Sequence, residues 1–139
     1  MPALPLLAAA VIACTAPKVH DGDTLRCGAD RVRLFGVDAP EVRRGKTPAE
    51  PLAYEARDLL ASLTRGRVGC RVVDQDRYGR HVARCWSDAS PDINAALIRS
   101  GLTSEYRRYS KGAYAAEEAK AKAARRGLWA SGAPARPSR

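Results

Sequence analysis

Short runs of aliphatic and β-branched residues, separated by turn-forming sequences, mark the first part of the chain. Between residues 17 and 37 the runs are interrupted at Asp21-Gly22 and at Gly28-Ala29-Asp30. Runs of this length between tight turns predict three β-strands. Two further runs, residues 67–74 and 80–86, predict a fourth and a fifth strand.

A helical period replaces the strand pattern after residue 46. Thr47 and Glu50 have the spacing of a capping box, and Pro48 occupies the first helical position. The pattern therefore predicts one amphipathic helix that lies on a core and ends near Gly66. Its apolar positions at helical spacing are Leu52, Ala56, Leu59, Leu60 and Leu63.

Two more helices are predicted after the fifth strand. Ser90-Pro91-Asp92 opens the first of them, and Gly101 ends it. The second covers residues 113–126, which are strong helix formers with basic residues in the last turn, and Gly127 ends it. A chain of 139 residues is one domain. This order of elements predicts an α+β fold, a small closed sheet with three helices packed against it.

The two ends of the chain differ in composition from the predicted domain, residues 14–129. Residues 1–16 are apolar with small residues near their end, so residues 1–13 are interpreted as a signal peptide or apolar leader that lacks a basic n-region. This run is too short for a stable membrane anchor. Val11-Ile12-Ala13-Cys14 also fits a lipoprotein processing site, with lipid on Cys14. Residues 130–139 predict a disordered basic tail.

The four cysteines fall into two groups by position, Cys14 with Cys27 and Cys70 with Cys85. Each group brackets a predicted hairpin, which favours two disulfides and an oxidising compartment, secreted or periplasmic. Four cysteines allow three connectivities, so the pairing stays open at this point. A zinc site is the alternative, but the sequence has no C-x-x-C spacing to support it.

The charge balance of the chain is strongly basic. Lys and Arg number 24 against 15 Asp and Glu, which gives a formal net charge of +9. A field of this size attracts polyanions such as nucleic acids or anionic membrane surfaces, although a basic surface can also serve solubility alone.

Three short sequences carry residues suited to phosphate-ester chemistry: Asp21-Gly22-Asp23-Thr24, residues 37–41 and residues 76–80. Carboxylates from separate turns can share one hard cation, and arginines bind phosphate oxygens in a bidentate way. The alternative for Asp21 and Asp23 is an Asx turn in a hairpin. The two histidines, His20 and His81, lack a partner histidine at ligand spacing and are interpreted as incidental.

The same sequences carry a family resemblance. The runs VHDGDTLRC, VRLFGVDAPE, DRYGRHVARCW, INAALIRSGLTSEY and RRGLW resemble the staphylococcal nuclease (thermonuclease) family, in the same order and over residues 14–129. The resemblance implies a five-stranded OB-type β-barrel with three packed helices, a fold whose open face and loops bind oligonucleotides.

The resemblance also implies roles for individual residues. Asp23, Asp38 and the main-chain carbonyl of Ala39 would bind Ca²⁺; the family often has threonine at the position of Ala39, but a carbonyl ligand survives that change. Glu41 would be the general base, and Arg33 and Arg80 would hold the phosphate. Tyr106 and Tyr109 would contact the substrate, with core packing as their alternative. The basic segment 42–46 is interpreted as a substrate flap.

These observations predict a secreted or periplasmic calcium-dependent nuclease that hydrolyses DNA and RNA with little sequence preference. Its expected partner is single-stranded nucleic acid, and we expect a monomer with no obligate protein partner. Two alternatives remain: a non-catalytic OB-fold nucleic-acid-binding module, and the same domain tethered to a membrane through Cys14. Silent members of the family typically lose carboxylates or arginines that are all present here.

Overall fold

The structure is a computed structural model that describes residues 10–131. A six-stranded sheet in the order β1-β6-β7-β4-β3-β2 forms its centre, and a second sheet pairs β5 with β8. The strands are β1 (Val11–Thr15), β2 (Lys18–Asp21), β3 (Thr24–Cys27), β4 (Asp30–Leu34), β5 (Val37–Asp38), β6 (Arg67–Gln75), β7 (His81–Ser87) and β8 (Ser104–Glu105). The helices are α1 (Ala53–Leu63), α2 (Ile93–Arg99), α3 (Arg107–Ser110) and α4 (Ala115–Ala123), followed by a 3-10 turn at Gly127–Trp129.

The core lies between the inner face of the larger sheet and the helices. Leu25, Val32 and Leu34 point into it from β3 and β4, and Leu60 of α1 is fully buried against them. Asn94 of α2 is buried as well, and its side chain accepts a hydrogen bond from the amide of Cys85 and donates to the carbonyls of Phe35 and Ala83. This buried amide is fully satisfied, so it fixes α2 to the sheet.

The turn between β2 and β3 is pressed against α1. A Cβ atom placed on Gly22 would lie 2.7 Å from the Cβ of Ala56, closer than real contacts allow. Only glycine fits at this position, because the lack of a side chain lets the turn between Asp21 and Asp23 approach the helix closely. The packing therefore determines where both carboxylates lie.

The larger sheet curls so that its two ends approach each other. β1 is hydrogen-bonded to β6 at one end, yet Cys14 of β1 forms a disulfide with Cys27 of β3 near the other end. Cys70 and Cys85 are directly opposite in the β6–β7 pair and form the second disulfide. The α+β class is confirmed, and the barrel is open because β1 and β2 are not hydrogen-bonded to each other.

Four details differ from the sequence prediction. The capping box is wrong: α1 begins at Ala53, Thr47 forms a bridge with Arg44, and the carboxylate of Glu50 accepts from the amide of Glu41.

The predicted helix over residues 113–126 is shorter, and Arg125 already has a positive φ of 52°. The short helix α3 was not predicted. Residues 11–15, placed partly in the leader, form β1, and the Cys14–Cys27 bond therefore spans the sheet instead of a hairpin.

The predicted leader and tail extend beyond the described part of the chain, since residues 1–9 and 132–139 lie outside it. Within residues 10–131, no helix has both the length and the apolar character needed to cross a membrane.

Candidate active site

An open cleft of about 480 Å³ lies where the β2–β3 turn, the segment after β5 and the β6–β7 loop meet. Three carboxylates and four arginines line it, together with Thr24 and Tyr78. The carboxylates are Asp21, Asp23 and Glu41, and the arginines are Arg31, Arg33, Arg44 and Arg80. The cleft thus brings Asp23, Arg33, Glu41 and Arg80 of the predicted site together.

Asp21 and Asp23 are almost completely buried, with 4% and 7% of their surface exposed. Each accepts a hydrogen bond from the backbone after β5: Asp21 Oδ1 from the amide of Val42 at 3.1 Å, and Asp23 Oδ2 from the amide of Ala39 at 2.8 Å. Asp23 Oδ1 also accepts from the hydroxyl of Thr24 at 2.9 Å. Buried carboxylates need such partners, so this turn is bound tightly to the backbone after β5.

Arg33 stands opposite Thr24 in the β3–β4 pair, and its Nη1 lies 2.5 Å from Asp23 Oδ2. Only 18% of its side chain is exposed. A partly buried, charge-assisted pair of this kind fixes the guanidinium at the edge of the cleft.

Arg80 is held by the loop that carries it. Its Nε donates to Asp76 Oδ2 at 2.7 Å, while Asp76 Oδ1 accepts from the amides of Tyr78 and Arg80, both at 2.9 Å. Burial raises the pKa of Asp76, but the hydrogen bonds from Arg80 and Tyr78 outweigh it and hold that pKa below its usual value. Asp76 is therefore charged at neutral pH and acts as the anchor of the loop.

Glu41 enters the cleft from the segment after β5. Its amide donates to Glu50 Oε1 at 2.8 Å, and its carbonyl accepts from the amide of Glu50 at 2.9 Å. These two bonds fix the backbone of Glu41 from outside the cleft. Glu50, which the sequence pattern predicted in a helix cap, thus positions Glu41 instead.

Asp38 and Ala39 lie beside the cleft. Asp38 is 5% exposed and pairs with Ser104 across the β5–β8 sheet, and the amide of Ala39 contacts Asp23. The cleft lining contains Asp21 and not Asp38. Among residues 10–131, no three acidic, histidine or cysteine side chains converge into a group that would hold a metal ion alone. The predicted ligands, the carboxylates of Asp23 and Asp38 and the main-chain carbonyl of Ala39, offer oxygen atoms only. This all-oxygen chemistry fits calcium.

Tyr106 and Tyr109 line a neighbouring cavity of about 260 Å³, which shares Arg33 and Arg80 with the cleft. Their rings stack with centroids 6.4 Å apart. The hydroxyl of Tyr109 donates to Asp74, and this hydrogen bond raises the pKa of Tyr109 to about 12. The same bond lowers the pKa of Asp74. Both tyrosines are thus next to the arginines, and their rings are not part of the buried core.

Arg31 and Tyr78 line the cleft without a predicted role, and Asp21 was not among the predicted ligands. Arg31 donates to the carbonyl of Tyr78, which joins β4 to the β6–β7 loop. The signal for Asp21 was present in its spacing from Asp23, but the position of Arg31 follows only from tertiary structure. Arg44 of the predicted flap lines the cleft, 4.0 Å from Asp21 Oδ2.

Comparison with known proteins gives a consistent assignment. The family described as staphylococcal nuclease homologue matches residues 31–131. A succinoglycan biosynthesis protein of Rhizobium meliloti is 35% identical over 123 residues, which cover 80% of this chain and 61% of that protein. A probable staphylococcal-like nuclease of Oryza sativa subsp. japonica is 36% identical over 109 residues, 77% of this chain and 27% of that protein.

A probable endonuclease of Clavispora lusitaniae is 39% identical over 113 residues, which cover 73% of this chain and 48% of that protein. The chain therefore spans less than two thirds of the length of each of these relatives. The family match covers most of the chain, including all four cleft arginines and Glu41. The chain belongs to the staphylococcal nuclease homologue family.

Proposed function

We propose that this protein is a calcium-dependent nuclease that hydrolyses phosphodiester bonds of DNA and RNA with little sequence preference. One observation carries the proposal: carboxylates and arginines of the family motifs face one open cleft, where the buried carboxylates of Asp21 and Asp23 are held by backbone amides of the segment after β5. Two of the relatives are named as a probable nuclease and a probable endonuclease, which supports the proposal.

Asp23 is the central ligand in this proposal, with Asp38 and the carbonyl of Ala39 as the predicted partners and Asp21 as an addition. A bound calcium ion supplies positive charge for the phosphate and lowers the pKa of a coordinated water. Asp23 links the segment after β5 to β4, because the amide of Ala39 and the guanidinium of Arg33 both bind its Oδ2.

Glu41 takes the proton from the attacking water. A carboxylate at the side of the cleft can act as a general base when its backbone is fixed, as the two hydrogen bonds with Glu50 fix that of Glu41. The water attacks phosphorus in line with the bond that breaks, and the 5′ oxygen leaves. A positioned proton transfer of this type contributes about 10² to 10⁴ in rate.

Arg33 and Arg80 bind the phosphoryl oxygens and stabilise the charge that grows on them in the transition state. Both guanidinium groups are preorganised by a carboxylate, Arg33 by Asp23 and Arg80 by Asp76. Preorganisation matters because the cations then need no rearrangement when the charge develops. Lysine at either position would keep the charge and lose the bidentate geometry.

The substrate class follows from the surroundings of the cleft. The open shape and the net charge of +9 suit a polyanionic strand, and the exposed rings of Tyr78 and Tyr109 offer surfaces on which bases of any sequence can stack. We assign the protein to an oxidising compartment, secreted or periplasmic, because both disulfides are consistent with it. A monomer suffices, since one chain supplies every group named above.

The test is hydrolysis of single-stranded DNA and of RNA by the purified protein, in calcium and in chelator. The proposal expects both substrates to be cleaved in calcium and neither in chelator. Binding of both without cleavage under any metal would instead favour the non-catalytic binding module.

A further inference from the structure

A second groove, of about 520 Å³, continues from the cleft along the outside of β2, β3 and β4. Thr24, Arg31 and Arg80 line both cavities, so the two are continuous. The groove adds Lys18 and Arg26 to the cations of the cleft. A ligand that leaves the cleft past Arg80 would therefore enter a second positively charged surface.

The strand register places three of these cations in one row. Lys18 is directly opposite Arg26 in the β2–β3 pair, and Arg26 is directly opposite Arg31 in the β3–β4 pair. Neighbouring strands lie about 4.8 Å apart, so the row extends roughly 10 Å across the sheet. Like charges directly opposite each other destabilise a sheet. Folding therefore gives no reason for this row.

The row also lacks acidic partners. None of the ion pairs among residues 10–131 involves Lys18, Arg26 or Arg31, and all three residues are exposed. The carboxylate next to the groove, Asp21, is buried and turned to the amide of Val42. The surface is thus available to an anion that spans several strands.

We propose that this groove binds the backbone phosphates of the substrate strand beyond the bond that is cut. The inference rests on the proposed function for the identity of the strand, and it extends the binding surface from one phosphate to several nucleotides. A row of cations without base-reading groups binds a single strand through its phosphates, independently of sequence. Lys18 and Arg26 act here in binding alone and leave the reacting atoms untouched.

The experiment measures equilibrium binding in chelator, so that cleavage plays no part. The probe is a labelled oligothymidylate of about 20 nucleotides, longer than the roughly 4–16 that one OB fold contacts. The variant Lys18→Ala/Arg26→Ala is compared with Arg99→Ala/Lys120→Ala, which removes the same charge from exposed positions of α2 and α4. Each Lys or Arg that releases a counterion from a single strand adds about 0.7 to the salt slope.

The groove variant should lose about 1.4 from the slope of log K against log salt, and about 25-fold in affinity at about 0.1 M salt. The control variant should change affinity by less than about threefold, because its charges act only at long range. The single variants Lys18→Ala and Arg26→Ala should each give half of the change in slope. Affinity for a dinucleotide, which fills only the cleft, should stay at the parent value.

Equal affinity of the groove variant and the parent for the long strand overturns the inference. Loss of affinity for anionic vesicles without loss for the strand also overturns it, since the row would then face a membrane. Loss of strand affinity in the groove variant supports the inference even if the parent hydrolyses nothing in calcium, a result that would contradict only the proposed function.

Discussion

The cleft has two sides that are built in opposite ways. The acidic side consists of residues 21–23 and 39–42. The carboxylates of Asp21 and Asp23 are buried there and accept hydrogen bonds from backbone amides of the second segment. The loop side, residues 76–80, is exposed at Tyr78, and one carboxylate, Asp76, organises it. The acidic side therefore depends on the core, whereas the loop side depends mainly on one local carboxylate, with Arg31 of β4 as its contact outside the loop.

This difference indicates how the two sides can serve one reaction. Groups that hold a cation and take a proton need fixed positions, since small displacements are costly in rate. A loop held by Asp76 and by the contact of Arg31 with its backbone can adjust to the substrate before Arg80 binds the phosphate. Changes on the acidic side should therefore affect both stability and turnover, and changes on the loop side should affect turnover with little effect on stability.

Glu41→Gln removes the proposed base from the acidic side without disturbing its supports. The exchange is nearly isosteric, and the backbone bonds between Glu41 and Glu50 do not need the carboxylate of Glu41. Turnover on single-stranded DNA should fall by about 10² or more. Affinity for the strand at low salt should stay near the parent value or rise slightly, because one negative charge is removed. Turnover at the parent level would exclude Glu41 from the mechanism.

Gly22→Ala tests whether the acidic side is tied to the core. The new Cβ would lie 2.7 Å from the Cβ of Ala56 and 3.1 Å from that of Ala39, so the turn or the helix must move. Overpacking of this kind lowers the free energy of unfolding by about 1–3 kcal/mol, which urea denaturation measures. Turnover should fall as well, since Asp21 and Asp23 move with the turn.

The control for this prediction is the same substitution in an Ala56→Gly background. The helix loses about 1 kcal/mol from glycine, but the shortest contact of residue 22, at 2.7 Å from the Cβ of residue 56, is removed. The cost of Gly22→Ala should then be smaller than in the parent, a coupling that neighbouring sites show. Equal costs in both backgrounds would show that the turn is not held by this contact.

Asp76→Asn tests the loop side. The amide oxygen can still accept from the backbone of Tyr78 and Arg80, but the charge that holds the guanidinium of Arg80 is lost. Turnover should fall about tenfold with little change in the free energy of unfolding, because only orientation is lost. Asp88→Asn is the matched control, since its pair with Arg67 is exposed at both ends and 3.7 Å long. A large loss of stability in the first variant would contradict the comparison.

The same anchor has a defined pH dependence. Burial raises the pKa of Asp76 while hydrogen bonds lower it by more, so its folded pKa lies below the ordinary value of 3.8. Its contribution to stability is complete above 3.8 and is lost as the pH falls through the lower folded value. The Nε–H signal of Arg80 in NMR should therefore persist at pH 5 and disappear in that acidic range.

The sequence predicted those features that local patterns determine. The turn at Asp21-Gly22, the start of α2 after Ser90-Pro91-Asp92 and its stop before Gly101 follow from residues close in the chain, and the structure has all of them. The family motifs alone placed Arg33, Glu41 and Arg80 in one site, and all three line the cleft. These features need no knowledge of distant contacts.

Features that depend on tertiary contacts were missed. Glu50 has helix-cap spacing in the sequence, but its carboxylate binds the amide of Glu41 instead of closing a helix. No strand was predicted before residue 17, yet Val11–Thr15 forms β1 because β6 provides its hydrogen-bond partners. The row of Lys18, Arg26 and Arg31 arises from strand register, which spacing along the chain does not reveal.

The calcium dependence of the initial rate of single-stranded DNA hydrolysis tests the central claim most directly. The parent protein should show no hydrolysis in chelator and a saturable rise with calcium, and magnesium should support little activity because it requires stricter octahedral geometry. Asp23→Asn should need far more calcium for the same rate, because it removes a charged ligand. Full activity of the parent in chelator would contradict the account.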